Sequence, residues 1–416
     1  MSVATNSLDS GITVVTEHMP DVRSVAVGFW VGTGSRDEST PEAGASHFLE
    51  HLLFKGTADR SARDIAEAVD AVGGDINAFT TKEYTAFYVR LLSESLDLGL
   101  DVLSDIMWAP SFRPEEVEAE RQVILEEISM RADEPADLVH ELFTEALYPG
   151  HPLGRDVLGD EGTIAGMARG QIADFHAHHY RPGNIVVAAA GDLDHDKVAA
   201  GLERRFAGRL GGAGPQRSGP QQPPQSLAIA HRPTEQAHIV VGVAALDRDD
   251  DDRYALAVLN HVVGGGMSSR LFQEIRETRG LAYSVYSYRA SYEGTGAFAI
   301  YAGTGPGKAR EVIQLMHAEL DRVVDAGITD RELTMAKSHL RGSMALSLED
   351  SGARMSRLGR SQLVHGRVQG LDEVDGRLGA VTLADVGRVA RSLLGGRRVL
   401  AVVGPFDDDD FVDVVR

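Results

Sequence analysis

The sequence predicts an α+β protein made of two duplicated domains, each a mixed or antiparallel sheet packed with helices. Three observations support this fold class. The 416 residues are too many for one ordinary core. A stretch rich in Gly, Pro and Gln, AGRLGGAGPQRSGPQQPPQ, interrupts the chain near its middle. Strand and helix signals recur in the same order on both sides of it. We therefore predict domains at 1–207 and 226–416, joined by a semi-extended linker at 208–225.

Each half opens with strands, continues with a helix and further strands, then has two long helices, and closes with a strand. In the first half, Val25, Val27, Phe29 and Val31 fall on alternate positions, which is typical of a strand. The predicted elements are strands at 11–16, 24–31 and 184–191 with helices at 95–108 and 114–130 in the first half, and strands at 226–230, 238–246 and 398–404 with helices at 306–326 and 330–348 in the second. We expect more helix than strand.

Composition limits the classes of partner and of site. With 41 basic and 62 acidic residues the formal net charge is −21, which argues against nucleic acid and anionic membranes as partners. Cysteine is absent, so any metal must be bound by His, Asp or Glu. The N-terminal stretch lacks a basic region followed by an apolar run, and no apolar run approaches the length of a bilayer span. The expected location is cytoplasmic.

The motif HFLEH at residues 47–51 predicts a metal site. His47 and His51 are four residues apart, so both imidazoles lie on one face of a helix, and Glu50 shares that face. Two neutral imidazoles suit Zn²⁺, and a nearby carboxylate can act as a base toward water. The neighbouring residues are mostly apolar, which predicts a buried helix whose polar residues need partners. We interpret the motif as a zinc site.

A third ligand is expected from another element, because a catalytic zinc usually has three protein ligands. The helix predicted at 114–130 carries Glu120 and Glu127, which are seven residues apart and therefore share a face across two turns. Val117, Ile124 and Ile128 lie along nearly the same side. Both acids are thus predicted to point toward the core.

Three stretches resemble the pitrilysin/insulinase family of zinc metallopeptidases, the inverzincins with HxxEH, and its mitochondrial-processing-peptidase-like bacterial branch. They are HFLEHLLFKGT, GGDINAFTTKEYT and ERQVILEEI, and the resemblance extends over essentially the whole chain. It implies a zinc endopeptidase with one Zn²⁺ per chain bound by His47, His51 and Glu127. It also implies that Glu50 is the general base on zinc-bound water and that Glu120 is needed for activity.

Two alternatives remain open at this point. One is a catalytically silent or partner-dependent subunit of a processing-peptidase-like heterodimer, although such silent relatives have lost residues of the motif that this chain keeps. The other is a metal-binding or scaffold protein without turnover, which would need the three ligands but not Glu50.

The second half is predicted to keep the scaffold without the metal. It has no HxxEH motif, and aligning its long helix with 114–130 places Ala336 opposite Glu120 and Ser343 opposite Glu127. The segment RETRGLAY resembles a family motif in which an Arg and a Tyr reach the substrate, here Arg276 and Tyr283. Both are assigned to catalysis: Tyr283 to the carbonyl oxygen as it gains charge and Arg276 to a peptide carbonyl.

The resemblance also implies how substrate and subunits are arranged. The peptide is expected to add as a strand beside Asn77, Ala78 and Phe79. Asp137 and Glu141, four residues apart, are expected to form a pocket for an arginine before the cut, although a solvated acidic face would give the same pattern. A homodimer is expected, in which each chain forms half of a clam-shell chamber, with a heterodimer containing an inactive homologue as the alternative.

Overall fold

The computed structural model describes residues 3–415 and contains two mixed sheets and fourteen α-helices in that range. Elements of the first half are β1 Val3–Ser7, β2 Thr13–His18, β3 Ser24–Val31, α1 Ala45–Leu53, α2 Ala62–Asp70, β4 Asp75–Thr80, β5 Thr85–Leu92, α3 Leu96–Trp108, α4 Pro114–Ala132, α5 Pro135–Leu147, α6 Glu161–Gly166, α7 Arg169–His179, β6 Ile185–Gly191 and α8 His195–Arg205. Those of the second half are β7 Leu227–His231, β8 Ala237–Ala245, α9 Arg253–Gly264, a π-helix Phe272–Thr278, β9 Ala282–Tyr292, β10 Thr295–Thr304, α10 Ala309–Ala326, α11 Asp330–Ser347, α12 Ser351–His365, α13 Leu371–Ala380, α14 Leu383–Leu394 and β11 Val399–Gly404.

The first sheet has the order β1-β2-β6-β3-β5-β4. Its β2–β6 pair is parallel and its other pairs are antiparallel. The central strands β3 and β6 are buried along almost their whole length. Apolar residues therefore also occupy the positions between the alternating apolar residues noted in the sequence. Strand β4 lies at an edge and pairs with β5 alone among the described strands.

The second sheet repeats this plan in the order β7-β11-β8-β10-β9. Strands β7 and β11 are parallel, and the remaining pairs are antiparallel. The predicted fold class, two α+β domains with mixed sheets and more helix than strand, is therefore confirmed. Strand β1 and helices α12 to α14 were not predicted. The segment VATNS of β1 is largely exposed and has no apolar alternation to reveal it.

The two compact units of the chain differ from the predicted sequence halves, because each half contributes one helix to the other unit. The first unit contains residues up to Ile128, then Asp156–Gln216 and Met344–Gln369, and the second contains Ser129–Arg155, Arg217–Ser343 and the residues from Gly370 onward. Helix α12 therefore packs on β2, β3 and β6, and α5 packs on β7, β8 and β11. The division of the chain into homologous domains at 1–207 and 226–416, joined by a linker at 208–225, stays a prediction.

A glycine makes the packing of α12 on the first sheet possible. Trp30 on β3 is buried together with Met355 and Leu358 of α12. Gly359 lies so close to Trp30 that an added Cβ would be 2.1 Å from the indole nitrogen. A side chain there would push the helix away from the sheet, because a packed core does not absorb extra volume without shifting.

Within residues 3–415, no helix combines the length and apolar character needed to cross a bilayer.

Gly359→Ala is expected to destabilise the protein by about 1–3 kcal/mol through overpacking against Trp30. The measurement is denaturant-induced unfolding followed by circular dichroism. Gly342→Ala in α11 is the matched control, because no described atom outside the adjoining backbone of its own helix and its two chain neighbours lies within 4 Å of its Cβ position. Alanine has a higher helix propensity than glycine, so the control variant should be stabilised by up to about 1 kcal/mol. Equal effects of the two substitutions would contradict the contact between α12 and the sheet.

Candidate metal centre and active site

Helix α1 carries the HFLEH motif and begins at a position fixed by a buried acid. Both carboxylate oxygens of Glu38 accept hydrogen bonds from backbone amides, one from Gly44 and one from Ser46, each at 2.8 Å. An acid at a helix N-terminus binds amides that have no partner within the helix and also interacts favourably with the helix dipole. Gly44 has a φ of 92°, a conformation that favours glycine. The start of α1 is thereby defined.

The apolar face of α1 orients its polar face. The buried apolar side chains are Phe48, Leu49, Leu52 and Leu53, which lie in the core of the first unit. Residues 47, 50 and 51 are consequently directed to the opposite side and are only partly buried.

Three side chains in the first unit could bind a metal ion together. His47, His51 and Glu127 each offer a ligand atom, and these atoms lie within 4.8 Å of one another. The Oε2 atom of Glu127 is 3.7 Å from Nε2 of His47 and 3.6 Å from Nε2 of His51. Ligands at zinc bond lengths in a tetrahedron are separated by about 3.4 Å. Two imidazole nitrogens and one carboxylate are also a donor set that suits Zn²⁺. The residues therefore fit the ion in both spacing and chemistry.

Glu120 lies behind the three candidate ligands and is almost completely buried. One of its oxygens is 3.0 Å from Nδ1 of His51, and the other is 2.7 Å from Nζ of Lys55. An ionised carboxylate accepts a hydrogen bond from Nδ1–H, which keeps the proton on Nδ1 and leaves Nε2 of the imidazole unprotonated on the side of Glu127. The ammonium group of Lys55 balances the buried charge of Glu120. This contact was not predicted, and Lys55 lies two residues beyond the end of α1.

Helix α4, which carries both acids, is fixed against α1 by Arg121. Its guanidinium donates to the carbonyl oxygens of Ile164 and Met167 and lies 5.5 Å from the centre of the Phe48 ring. Arg121 is itself buried, so these hydrogen bonds satisfy a charge that would otherwise be costly to bury. Arg121 therefore attaches α4 to the segment 164–167 and also packs on Phe48 of α1.

Glu50 belongs to the same face of α1 but lies outside the group of three possible ligands. Burial raises the pKa of its carboxyl group, and hydrogen bonds from Thr80 and the nearby His51 partly oppose that effect. Thr80 is the last residue of β4, and its hydroxyl lies 3.5 Å from the carbonyl oxygen of Ser46 in α1. Asn77, Ala78 and Phe79 precede it on the same strand. No sequence pattern predicted that Thr80 lies near Glu50.

Arg276 and Tyr283 lie together in the second unit. Arg276 belongs to the π-helix, and its Nη1 donates to the carbonyl oxygen of Tyr283 at 2.9 Å. The guanidinium also lies 4.6 Å from the centre of the Tyr283 ring and 4.8 Å from that of Phe272. The Tyr283 side chain is nevertheless 80% exposed. Arg276 thus supports a tyrosine whose hydroxyl is accessible.

Asp137 and Glu141 share a face of α5, but their surroundings differ. Glu141 forms an ion pair with Arg131, whereas Asp137 is exposed. Asp137 lies near an aromatic cluster of unit two that the sequence did not predict, consisting of His140, His238, Tyr286, Tyr288 and Tyr301. The two nitrogens of His140 are 2.9 Å and 3.1 Å from the hydroxyls of Tyr288 and Tyr286.

Burial shifts the pKa values of the histidines and of the tyrosines in this cluster in opposite directions. Burial lowers the pKa of His140, although the carboxylate of Asp137 opposes that shift. Burial, together with Tyr286 and Asp137, raises the pKa of Tyr301 to about 12. The cluster is therefore neutral near pH 7, and Asp137 supplies the negative charge at its margin.

The second half lacks acids at the positions that match Glu120 and Glu127. Ala336 of α11 is buried and Ser343 is exposed. The hydroxyl of Ser343 lies 3.3 Å from Nε2 of His339, whose ring stacks on that of His261. Among residues 3–415, the second unit holds no group of three possible metal ligands.

Comparison with known proteins agrees with this difference between the halves. The sequence model described as insulinase (peptidase family M16) matches residues 13–161, which include every residue of the candidate metal centre. The sequence model described as the peptidase M16 inactive domain matches residues 167–340.

Relatives and solved structures extend the similarity to the whole chain. The chain is 45% identical to a protein named an uncharacterized zinc protease from Streptomyces coelicolor, over 98% of this chain and 90% of the relative. It is 46% identical to one of the same name from Mycobacterium leprae, over 97% and 92% of the two chains. It is 41% identical to YmxG of Bacillus subtilis, also named an uncharacterized zinc protease, over 95% and 97%.

Two solved structures share the fold, each with a TM-score of 0.90 and 24% sequence identity. One is described as a peptidase M16 inactive domain from Pseudomonas fluorescens, and the alignment covers 98% of both chains. The other is a protease from Helicobacter pylori, with 97% of this chain and 99% of that chain covered. Because both sequence models and relatives of nearly full length agree, the chain belongs to the bacterial branch of the insulinase family of peptidases, family M16.

Proposed function

We propose that the chain is a zinc-dependent endopeptidase that hydrolyses peptides or unfolded segments. The observation that carries this proposal is the convergence of His47, His51 and Glu127, with Glu50 on the same helix face and Glu120 behind the histidine. The names of the relatives add support, because they are called zinc proteases. One Zn²⁺ per chain would be bound by the three ligand residues. When bound, the ion supplies Lewis acidity to the water and to the carbonyl oxygen.

The side chains of this chain account for the proton transfers. Glu50 accepts a proton from water as the water oxygen attacks the carbonyl carbon, and then donates it to the amine nitrogen as the C–N bond breaks. Glu120 keeps His51 in the tautomer that leaves Nε2 available. Tyr283 donates a hydrogen bond to the carbonyl oxygen as it gains charge, and Arg276 binds a peptide carbonyl.

The substrate is proposed to add as a strand to the edge at Asn77, Ala78 and Phe79. Among the strands of residues 3–415, β4 pairs with β5 on one side only, so its other edge presents backbone groups that an extended peptide can bind. Main-chain binding of this kind accepts many sequences. This explains how a peptidase could act on unfolded segments in general.

The chain offers reasons to prefer an active peptidase over the two alternatives. A silent or partner-dependent subunit has no need of a complete set of ligands with Glu50 and Glu120 beside them. A scaffold that only binds metal has no need of a carboxylate on the helix face that is not a ligand, yet Glu50 is kept there. We retain the homodimer as a proposal, with a heterodimer as the alternative. Light scattering of the purified chain measures this, and a fully active monomer would refute it.

Glu50→Gln is expected to reduce turnover of a quenched fluorescent peptide by at least about 100-fold, because the proton acceptor is lost. Zinc measured by atomic absorption should stay near one per chain. Glu127→Gln should instead lose zinc and activity together. Glu126→Gln is the matched control, since that neighbouring acid is exposed, and it should change neither quantity. Removal of the metal by a chelator should abolish cleavage, and added Zn²⁺ should restore it. Near-parental turnover by Glu50→Gln would rule out its role as the base.

A preference for arginine shortly before the cut is proposed for Asp137 and Glu141. A substrate guanidinium would compete with Arg131 for Glu141 while also reaching Asp137. The preference should persist at high salt, because a short-range pocket is screened less than the general attraction of an acidic protein.

Cleavage of matched Arg and Gln peptides at low and high salt tests this pocket. The double variant Asp137→Asn with Glu141→Gln should lose the preference and still cleave neutral peptides. Glu145→Gln, an exposed acid on the same helix, should keep it. An unchanged preference in the double variant would show that there is no pocket.

A further inference from the structure

The buried carboxylate of Glu120 is held by a different basic side chain at each of its two oxygens. Oε2 lies 3.0 Å from Nδ1 of His51, and Oε1 lies 2.7 Å from Nζ of Lys55. The side chain of Glu120 is 6% exposed and that of Lys55 is 34% exposed. Lys55 therefore reaches inward from the surface to the acid that lies behind a candidate metal ligand. Within residues 3–415, the carboxylate of Glu120 has no further hydrogen-bond or ion-pair partner.

The backbone of Lys55 is fixed by a turn at the end of α1. Its amide donates to the carbonyl oxygen of Leu52 at 3.0 Å. The next residue, Gly56, has a φ of 121°, a conformation that favours glycine. A Cβ atom at Gly56 would lie 2.9 Å from the carbonyl oxygen of Arg60. The Lys55 side chain consequently extends toward Glu120 from a defined position.

The residues after Lys55 are attached to the segment that precedes α4. Ser111 donates to the carbonyl oxygen of Gly56 twice, from its amide at 3.1 Å and from its hydroxyl at 3.0 Å. Arg113, the residue before α4, donates to the carbonyl oxygen of Thr57 at 3.2 Å. These hydrogen bonds join the end of α1 to the start of α4. The contact of Lys55 with the buried acid adds a link between side chains at the same junction.

The two contacts of Glu120 together control the orientation of the His51 ring. One ring nitrogen faces a metal ion steadily only when a partner at the other ring nitrogen fixes the ring. Glu120 is that partner, but a carboxylate held at one oxygen can still rotate about its last bond. Lys55 holds the second oxygen and so prevents this rotation. Without Lys55, Oε1 would be a buried acceptor with no partner, which costs free energy and favours a different position of the carboxylate.

We propose that Lys55 is a positioning residue of the metal centre, which holds Glu120 so that the His51 ring stays directed at the metal ion. The proposal rests on the proposed function for the identity of that ion. The positive charge of Lys55 has the opposite effect on affinity, because it repels a dication. A fall in zinc affinity on removal of Lys55 therefore reports its effect on position, whereas a rise reports its charge alone.

Lys55→Met removes the ammonium group and keeps an apolar side chain of similar length. It should lower the zinc affinity of the full-length chain by about 10- to 100-fold, the usual cost of losing a group that orients a metal ligand. The measurement is competition for zinc between the metal-free protein and a chromophoric chelator. Lys55→Arg keeps a cationic donor and should recover most of the affinity. Lys55→Gln is measured alongside, in case methionine prevents folding.

Lys197→Met is the matched control, because Lys197 is an exposed lysine of α8 in the same unit. It changes the net charge by the same amount and should leave the zinc affinity unchanged. An unchanged or higher affinity in Lys55→Met would overturn the proposal, because it would limit Lys55 to balancing charge. An equal fall in Lys197→Met would also overturn it, since the effect would not depend on contact with Glu120.

Crystal structures of the metal-free parent, Lys55→Met and Lys55→Arg test the same contact without zinc. Oε2 of Glu120 should stay within hydrogen-bonding distance of Nδ1 of His51 in the parent and in Lys55→Arg. In Lys55→Met the carboxylate should be displaced or spread over several conformers, and the parental position there would show that Lys55 does not hold it. If the zinc-loaded parent cleaves no peptide, the proposed endopeptidase function fails, while the zinc affinities and the crystal structures still decide the role of Lys55.

Discussion

The carboxylate of Glu38 on the two amides that open α1 is the interaction on which the rest of the candidate site depends. It sets where the helix starts, and the helical period then sets which side chains face the core. Since the apolar side chains occupy that core, the side chains of His47, Glu50 and His51 point away from it. Every further contact of the site, from α4 and from β4, is made to a helix whose rotation is already decided.

Around the candidate ligands, charged side chains of which all but Lys55 are buried neutralise one another in pairs. Lys55 lies against Glu120, and Arg36 lies against Glu83. Such pairs contribute little net stability, because removing two charges from water costs about as much as their attraction returns. Their value is geometric, since a charge held by a partner has few alternative positions. The site is in this way held by contacts that define place more than they add to the free energy of folding.

The sequence predicted what is local and failed where partners are distant in the chain. The spacing of His47 and His51, and that of Glu120 and Glu127, encodes a shared helix face because the α-helical period is constant. Thr80 and Glu50 belong to different elements, so no helical or strand period in the sequence could predict that they lie near each other. The ion pair of Glu141 was missed for a similar reason, since nothing in an acidic helix shows which carboxylate has a partner. The exchange of α5 and α12 was also missed, because amphipathic periodicity shows that a helix has an apolar face but not which sheet covers it.

The exchange of α5 and α12 has a consequence for how the protein is made on the ribosome. The first sheet receives its covering helix from residues 351–365, long after its own strands and the residues of the metal centre have been synthesised. Until that helix emerges, one face of the sheet, with Trp30 at its centre, has no partner within the unit. Contacts between such distant residues form slowly, because a long loop must close before they contribute. The nascent chain therefore exposes an apolar sheet face from the completion of β6 until α12 has been synthesised, so a supply of general chaperones should matter for this protein.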